Sequence, residues 1–297
     1  PNNGRLLIDD RGLRRRLGDF TDAWMGLEQV IAVYEKGGLS DNDYPGFAYG
    51  FLAVMEHNLG DYEEARRHFE ESLKIWNRLH GPDEYFGIQA RANLASCLVT
   101  LGEFDEAREI LLDGIARLEG KFGRGCRETS LHWQRFARLQ IYMGDFAGAK
   151  ATMEHVQSLM KEPGSGAELL LERGFDIHSA QSLFGLGDCP GARRACEGLV
   201  AHAEKYFDRS YYKSFDWYLP CLEILASCEL RAGRLASALE PALQAATDSR
   251  DSLLLASRAM SERQALRYAA ARSKGLDLAL TAVTGSVEPR ARRRVFD

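Results

Sequence analysis

Cysteine and histidine are the residues of this chain best able to do covalent or metal chemistry, and their spacing argues against both. Cys97, Cys126, Cys189, Cys196, Cys221 and Cys228 form no Cys-x-x-Cys pair and no compact disulfide framework. Cys189/Cys196 and Cys221/Cys228 are each seven apart, which puts both members of a pair on one helix face. A zinc site would need four soft ligands converging from short knuckles, with a His at a fixed offset, and neither pair has one. Small buried packing residues are the better reading, since free Cys is among the most buried residue types. A nucleophilic Cys also needs an imidazole within hydrogen-bond reach on a rigid scaffold. His80-Gly81 lies in a loop, no strand pattern surrounds it, and Cys97, the nearest cysteine, falls on the next helix. The run Gly120–Arg127 combines glycines with cations but lacks the spacing of a phosphate-binding loop and has no strand before it. His57, His68, His132, His155, His178 and His202 are scattered without metal-ligand pairing. The expectation is a chain with no catalytic residue, no cofactor and no metal.

Other classes are disfavoured by composition. The formal charge of −5 over 297 residues offers no broad basic field for a phosphate backbone, so nucleic acid is not the expected partner. No apolar run approaches the roughly 20 residues of a membrane span, and nothing at Pro1–Asp10 has the charged start and apolar centre of a signal peptide. With cysteines of this kind, the expected compartment is the cytoplasm.

A repeat dominates the chain. Gly, an acidic residue, an aromatic, two residues and Ala recur at Gly18-Asp19-Phe20 with Ala23, Gly60-Asp61-Tyr62 with Ala65, Gly102-Glu103-Phe104 with Ala107 and Gly144-Asp145-Phe146 with Ala149. Degenerate copies follow at Gly187-Asp188-Cys189 with Ala192 and Gly233-Arg234-Leu235 with Ala238. Successive glycines are 42, 42, 42, 43 and 46 residues apart. Glycine can take the left-handed conformation that ends one helix, and the acidic residue can cap the next; Asp19, Asp61, Asp145 and Asp188 suit that task better than Glu103. Pro190 fits a first helical turn. Seven residues before the glycine stand Ala53, Ala95, Ala137, Ala180 and Ala226, and the first copy has Arg11 there, as in a frayed or truncated cap. A tiny side chain at this site lets two antiparallel helices approach closely, Ala against Ala. Leu52, Leu94, Phe136 and Leu225 on first helices, with Phe69, Leu73, Leu111, Ile115 and Met153 on second helices, fill the remaining space at helical spacing.

This pattern resembles the tetratricopeptide repeat in its 42-residue form, like that of kinesin light chain. Leu79-His80-Gly81-Pro82-Asp83-Glu84, followed by Ala92-Asn93-Leu94-Ala95, is similar to that family's inter-repeat loop and next helix. The resemblance covers about residues 5–248. It implies an all-α, right-handed superhelix of about six helix hairpins with C-terminal capping helices, whose job is to bind another protein. The expected organisation is a degenerate first repeat over 1–38, five repeats over 39–249, capping helices over 250–284 and a linker over 285–297. Ser261, with Gln264 three residues on, predicts a capped helix in the third segment. Arg290, Arg292, Arg293 and Arg294 read as a solvated charge run. Pro241, inside a second helix, predicts a local bend.

Ser261–Leu266, then Ser273 to Leu280 and the spacer after it, resemble the junction between a tetratricopeptide array and a CHAT domain, a caspase-like cysteine protease module of bacterial and other proteins. That resemblance implies a regulatory or sensor array whose protease follows in cis beyond the linker. The alternative is a stand-alone adaptor or the sensing region of a bacterial transcription regulator.

In such an array the first helices line the binding groove. The exposed positions nine and six before each turn glycine are predicted to be Phe51, Asn93, Arg135, His178 and Ile224, and Val54, Ser96, Arg138, Gln181 and Ser227. The asparagine that kinesin light chains use is matched at Asn93 alone. The candidate partner groove is therefore Asn93, Ser96, Gln134, Arg135, Arg138, His178 and Gln181, cationic at its centre and suited to an acidic or polar peptide segment. A second candidate contact is the aromatic patch of Tyr211, Tyr212 and Trp217 in the longest inter-repeat connection, with packing against the array as its competing reading.

Overall fold

A computed structural model describes residues 20–160, 177–206, 217–257 and 275–284. All regular structure among them is helical. The elements are α1 (Phe20–Glu35), α2 (Tyr44–Asn58), α3 (Tyr62–His80), α4 (Tyr85–Leu101), α5 (Phe104–Phe122) and α6 (Arg127–Tyr142). They continue with α7 (Phe146–Met160), α8 (Ile177–Gly185), α9 (Cys189–Tyr206), α10 (Tyr218–Arg231), α11 (Leu235–Ser257) and α12 (Gly275–Thr284). The chain divides into two compact units: residues 1–124 with 255–271, and residues 125–254 with 272–297. The first holds α1 to α5; the second holds α6 to α10, α12 and most of α11.

Hairpins α2–α3, α4–α5, α6–α7, α8–α9 and α10–α11 turn in the same way. Gly60, Gly102, Gly144, Gly187 and Gly233 have φ of 81, 85, 79, 85 and 72°, a region that favours glycine. In every copy the next residue's N–H reaches back five positions: Asp61 to Glu56 O at 2.9 Å, Glu103 to Leu98 O at 2.9 Å, Asp145 to Gln140 O at 2.8 Å, Asp188 to Leu183 O at 2.9 Å and Arg234 to Glu229 O at 3.0 Å. This bond captures a carbonyl that the ending helix would leave without an intrahelical donor.

Past the turn the paired alanines close the hairpin. Ala53, Ala95, Ala137, Ala180 and Ala226 on first helices and Ala65, Ala107, Ala149, Ala192 and Ala238 on second helices are all 0% exposed. Phe69, Leu111, Ile115 and Met153 are buried with them, whereas Leu73, Phe136 and Leu225 are half-buried.

Capping follows expectation in one unit only. Asp145 Oδ1 accepts from Gly148 N and Asp188 Oδ1 from Gly191 N, each at 2.9 Å. Asp61 and Glu103 make no side-chain cap bond to α3 or α5. The difference tracks the residue three places on. It is glycine in the two capped helices, where an added Cβ would overlap the aspartate carboxylate, and Glu64 or Glu106 in the other two. A glutamate there also sets a like charge beside the cap.

The first unit's core joins Leu27 and Ile31 of α1 to Tyr49, Leu52 and Met55 of α2 and Ile75 of α3. In the second unit, Ala279 and Ala282 of α12 pack on Ala226, Ala238, Leu239 and Ala242, so α12 covers the α10–α11 hairpin. Helix α11 runs through Pro241 as one element. Ser261, Gln264 and the arginines of 290–294 lie outside the described residues.

Candidate partner-binding surfaces

The candidate groove residues fall in both units. Asn93 and Ser96 are half-buried on α4 in the first, with Ser96 Oγ donating to Ala92 O of its own helix at 3.0 Å. Gln134, Arg135 and Arg138 are half-buried on α6 in the second unit, where α6 packs against α8, the helix carrying His178 and Gln181. His178 Nδ1 and Gln181 Oε1 share a hydrogen bond of 3.0 Å. The Arg138 guanidinium stands 5.6 Å from the centroid of the Tyr142 ring. Burial, reinforced by the charge of Arg138, pushes His178 down to about 4 against the opposing bond from Gln181. His178 is thus neutral near pH 7, and the positive charge of this surface belongs to its arginines. A half-buried guanidinium beside amide and imidazole groups can hold a carboxylate with a charge-assisted bond.

None of the ten positions expected to be exposed is fully so: nine are half-buried, and Ile224 is buried. Ile224 is 6% exposed and packs with Ala180, Ala192, Cys196 and Leu199, because a large aliphatic side chain on a first helix buries against the preceding hairpin. Trp217 is half-buried against the cores of the second unit, its ring edge-on to Tyr218 with centroids 6.2 Å apart. Tyr211 and Tyr212 lie outside the described residues.

The cysteines meet across helices. Cys196 of α9 and Cys221 of α10 are hydrogen-bonded, which with burial drives the Cys221 thiol strongly upward. Cys228 is pushed up to about 12, first by burial and then by Cys189. Cys97 donates to Tyr62 O at 3.1 Å and burial lifts it to about 12. These shifts run opposite to those that activate a thiol nucleophile. His80 is engaged by Asp43 at 2.6 Å and stacks on Trp76. Gly120, Lys121 and Phe122 complete α5, and Cys126 begins α6 by accepting from Thr129 N at 3.3 Å, so the glycine-rich run is a helix end and an inter-repeat loop.

His68, expected from the sequence to lack metal-ligand pairing, stands beside two carboxylates. Glu56, Glu64 and His68 place ligand atoms within 4.8 Å of one another, an arrangement able to hold a metal. Arg67 already occupies it: its Nη2 lies 2.9 Å from His68 Nε2 and 2.7 Å from Glu64 Oε2. On the far side of the ring, His68 Nδ1 meets Glu56 Oε2 at 2.7 Å.

Glu56 also has a counterpart that the alanine ladder hides. Four residues before the turn glycines stand Glu56, Leu98, Gln140, Leu183 and Glu229. Both glutamates are 5% exposed, and each forms the floor of a cavity of the same construction. In the second unit a cavity of about 420 Å³ is lined by Arg193 and Glu197 of α9, Leu225 and Glu229 of α10, and Ser237 and Pro241 of α11, with Arg234 at its rim. Glu229 pairs there with Arg193 and with Arg234 Nε at 2.5 Å. In the first unit a cavity of about 370 Å³ is lined by Trp24, Glu28 and Glu35 of α1, Leu52 and Glu56 of α2, and Glu64, Arg67 and His68 of α3. Burial raises Glu56 above the usual carboxylate range, against the hydrogen bond from His68.

Comparison with known proteins agrees with this architecture. Residues 46–120 match the tetratricopeptide repeat family, and the chain carries tetratricopeptide repeats. Among solved structures it is similar to BtubC (BKLC) from P. vanneervenii, at 18% identity over 69% of this chain and 84% of that one, with a TM-score of 0.53. It is also similar to a chain of the APC/C hetero-tetramer Cut9–Hcn1, at 12% identity over 96% of this chain and 47% of that one, with a TM-score of 0.58. TPR-like repeats of kinesin-light-chain type from Podosopora anserina align at 17% identity over 69% of this chain and 94% of that one, with a TM-score of 0.47. No curated protein matches the chain in sequence. No helix among the described residues is long and apolar enough to cross a membrane.

Proposed function

We propose that this chain is a protein-interaction scaffold whose second unit holds an acidic segment of a partner on the α6–α8 face. The arrangement of Arg138 with His178 and Gln181, on neighbouring first helices, carries this reading. With His178 neutral, Arg138 and Arg135 supply charge while Gln134, His178 and Gln181 supply hydrogen bonds, the combination a carboxylate-bearing peptide needs. Asn93 and Ser96 of α4 offer polar contacts of their own in the first unit. A binding role is in keeping with Cys97, Cys221 and Cys228, whose thiols burial pushes upward, away from the nucleophilic form.

Titration with a fluorescent dodecapeptide rich in Glu and Asp tests the surface. Arg138→Glu is expected to weaken binding at least tenfold, with Asn93→Ala nearly silent. Equal affinity of the acidic peptide and a Gln/Asn analogue would remove the reading.

The scaffold is further read as the regulatory array of a CHAT-type caspase-like protease, on the resemblance of residues 261–280 to the junction that precedes such a domain. A partner that prefers one arrangement of the helix hairpins would bias the protease through its differential affinity. Detection in the source cell by an antibody to this chain tests it. A polypeptide much larger than 33.2 kDa whose additional part hydrolyses peptides through a Cys–His pair is expected; a DNA-binding or nucleotide-binding extension would favour the transcription-regulator alternative instead.

A further inference from the structure

The packed helices α9 and α10 hold four of the chain's six cysteines. Cys189 and Cys196 of α9 are seven residues apart, as are Cys221 and Cys228 of α10, so two thiols on one helix face two on the other. Cys196 meets Cys221 and Cys189 meets Cys228, each pair hydrogen-bonded through its side chains. The repeat itself builds the outer of these contacts. Cys189, two residues past its turn glycine, stands where Tyr62 stands, and Cys228, five before the next turn glycine, stands where Cys97 stands. The same bond joins those places in both units: Cys97 Sγ donates to Tyr62 O at 3.1 Å, and Cys228 Sγ to Cys189 O at 3.7 Å. Earlier copies have Phe20, Tyr62, Phe104 or Phe146 at the first place, and only the copy at Cys189 sets a thiol there against a second thiol.

Exposure separates the two pairs. Cys196 and Cys221 are 0% exposed, which closes both to a reagent in solution. Cys228 is 2% exposed, but Cys189, the first residue of α9, is only half-buried. The outer pair therefore has one thiol that a small oxidant can reach and one that waits behind it. A cation stands by the shielded thiol: the charge of Arg231 favours the Cys228 thiolate against the larger effect of burial. That guanidinium is fixed in place, since Arg231 Nη1 donates to Phe184 O at 3.0 Å and the group lies 3.9 Å from the centroid of the Phe184 ring.

We infer that Cys189 and Cys228 are a redox modification site, at which hydrogen peroxide converts the two thiols into a disulfide joining α9 to α10. Cys189 reacts first. Its Sγ attacks one peroxide oxygen, the O–O bond breaks, and the leaving oxygen takes up the thiol proton and departs as water, so that Cys189 becomes a sulfenic acid. Cys228 Sγ then attacks Cys189 Sγ; the S–S bond forms, the S–O bond breaks, and the hydroxyl leaves with the Cys228 proton as a second water. Two thiols have lost two electrons and two protons, and one peroxide has become two waters. The bridge ties the second helix of one hairpin to the first helix of the next, so oxidation holds consecutive hairpins in one arrangement and a thiol reductant releases them. This goes beyond the acidic-segment surface and does not rest on it: the site uses α9 and α10 and answers to an oxidant.

The test exposes the reduced full chain to graded hydrogen peroxide, blocks it with N-ethylmaleimide in denaturant and maps its peptides by mass spectrometry. Trypsin with a glutamyl endoprotease cuts at Arg193, Arg194 and Glu223 and so puts Cys189, Cys196, Cys221 and Cys228 on separate peptides. The expected product is a Cys189–Cys228 linked peptide that lacks two hydrogens, forms at least tenfold faster than any Cys196–Cys221 link and is lost on treatment with dithiothreitol. Cys97, whose neighbour at the equivalent place is Tyr62, should still take up maleimide. Cys228→Ser is expected to halt the reaction at a Cys189 sulfenic acid that dimedone traps, and Cys189→Ser to slow loss of the Cys228 thiol at least tenfold. Should a variant fail to fold, the parent chain decides alone. A Cys196–Cys221 link that forms first, passage of Cys189 to sulfinic acid without a link, or six thiols left intact at a dose that oxidises the urea-unfolded chain would each overturn the assignment.

Discussion

Glu56 and Glu229 occupy one position of the repeat in two separate units, yet one lies between arginines and the other among carboxylates. The turn and the alanine contact dictate where a side chain is enclosed; they leave open what neutralises it. That second choice is made at wall positions such as Trp24 and Arg193, which no turn or close contact restricts. Tandem copies of one hairpin can therefore meet a buried glutamate in different ways, with arginines at Glu229 and a histidine at Glu56.

The largest test of this contrast is Glu229→Gln, which strips the charge from between Arg193 and Arg234. Breaking a buried pair costs about 3–5 kcal/mol in general, and because the side chains of Arg193 and Arg234 are 34% and 55% exposed we expect a loss of about 2–3 kcal/mol here in urea unfolding. An unchanged midpoint would mean that Glu229 is not held by its arginines.

Next in size is a pH effect confined to the second unit. His178 is pushed down to about 4 when folded, against about 6.5 unfolded. Between those values the unfolded chain binds the extra proton, so stability falls as pH falls through the window and is fully present above it. A loss of about 2 kcal/mol between pH 7 and pH 4, absent in His178→Gln, is expected from the half-buried ring. A variant that tracks the parent across this range would show that His178 titrates normally.

Smaller again is the difference in caps. Asp145→Ala should cost about 1 kcal/mol and Asp61→Ala less than half of that, since only Asp145 bonds its helix's first turn. Equal losses would erase the distinction.

The smallest change is expected at Glu56→Gln, which keeps an acceptor for His68 and removes a charge that burial disfavours. With its folded pKa raised, Glu56 costs stability as pH rises through and above the ordinary carboxylate range. At pH 7 the substitution should be neutral or stabilising by up to about 1 kcal/mol, opposite in sign to Glu229→Gln. A strong destabilisation would show that the two sites are neutralised alike.

The features legible in the sequence were those that hang on one residue's size or backbone. A glycine with positive φ and a methyl group at 0% exposure require Gly and Ala, so their types recur and the period becomes visible. Burial was legible for Cys97, Cys196, Cys221 and Cys228, while Cys126 and Cys189 are only half-buried, and the meeting of Cys196 with Cys221 required knowing which helices adjoin. Caps were half legible, because an aspartate at the turn is not sufficient when Glu64 stands three residues later. The exposed-face count misplaced Ile224, which obeys its own hydrophobicity before the repeat. The buried glutamates were not legible because the five residues at their position, two Glu, two Leu and one Gln, have no single type in common, and the walls around them come from three helices. The four-back count from each glycine was available all along, and a carboxylate one turn from a buried alanine was its signal. For the partner groove, the sequence gathered the residues by register, while the neutrality of His178 emerged only from its surroundings.

Because every hairpin brings its own reversal and its own pair of touching methyl groups, a 42-residue stretch copied in register contains all that it needs to close on itself. Gene duplication can lengthen such a chain by whole copies at little risk, and a fresh copy is then free to trade the residues on its walls. Trp24 and Arg193 show two outcomes of that trade at equivalent places.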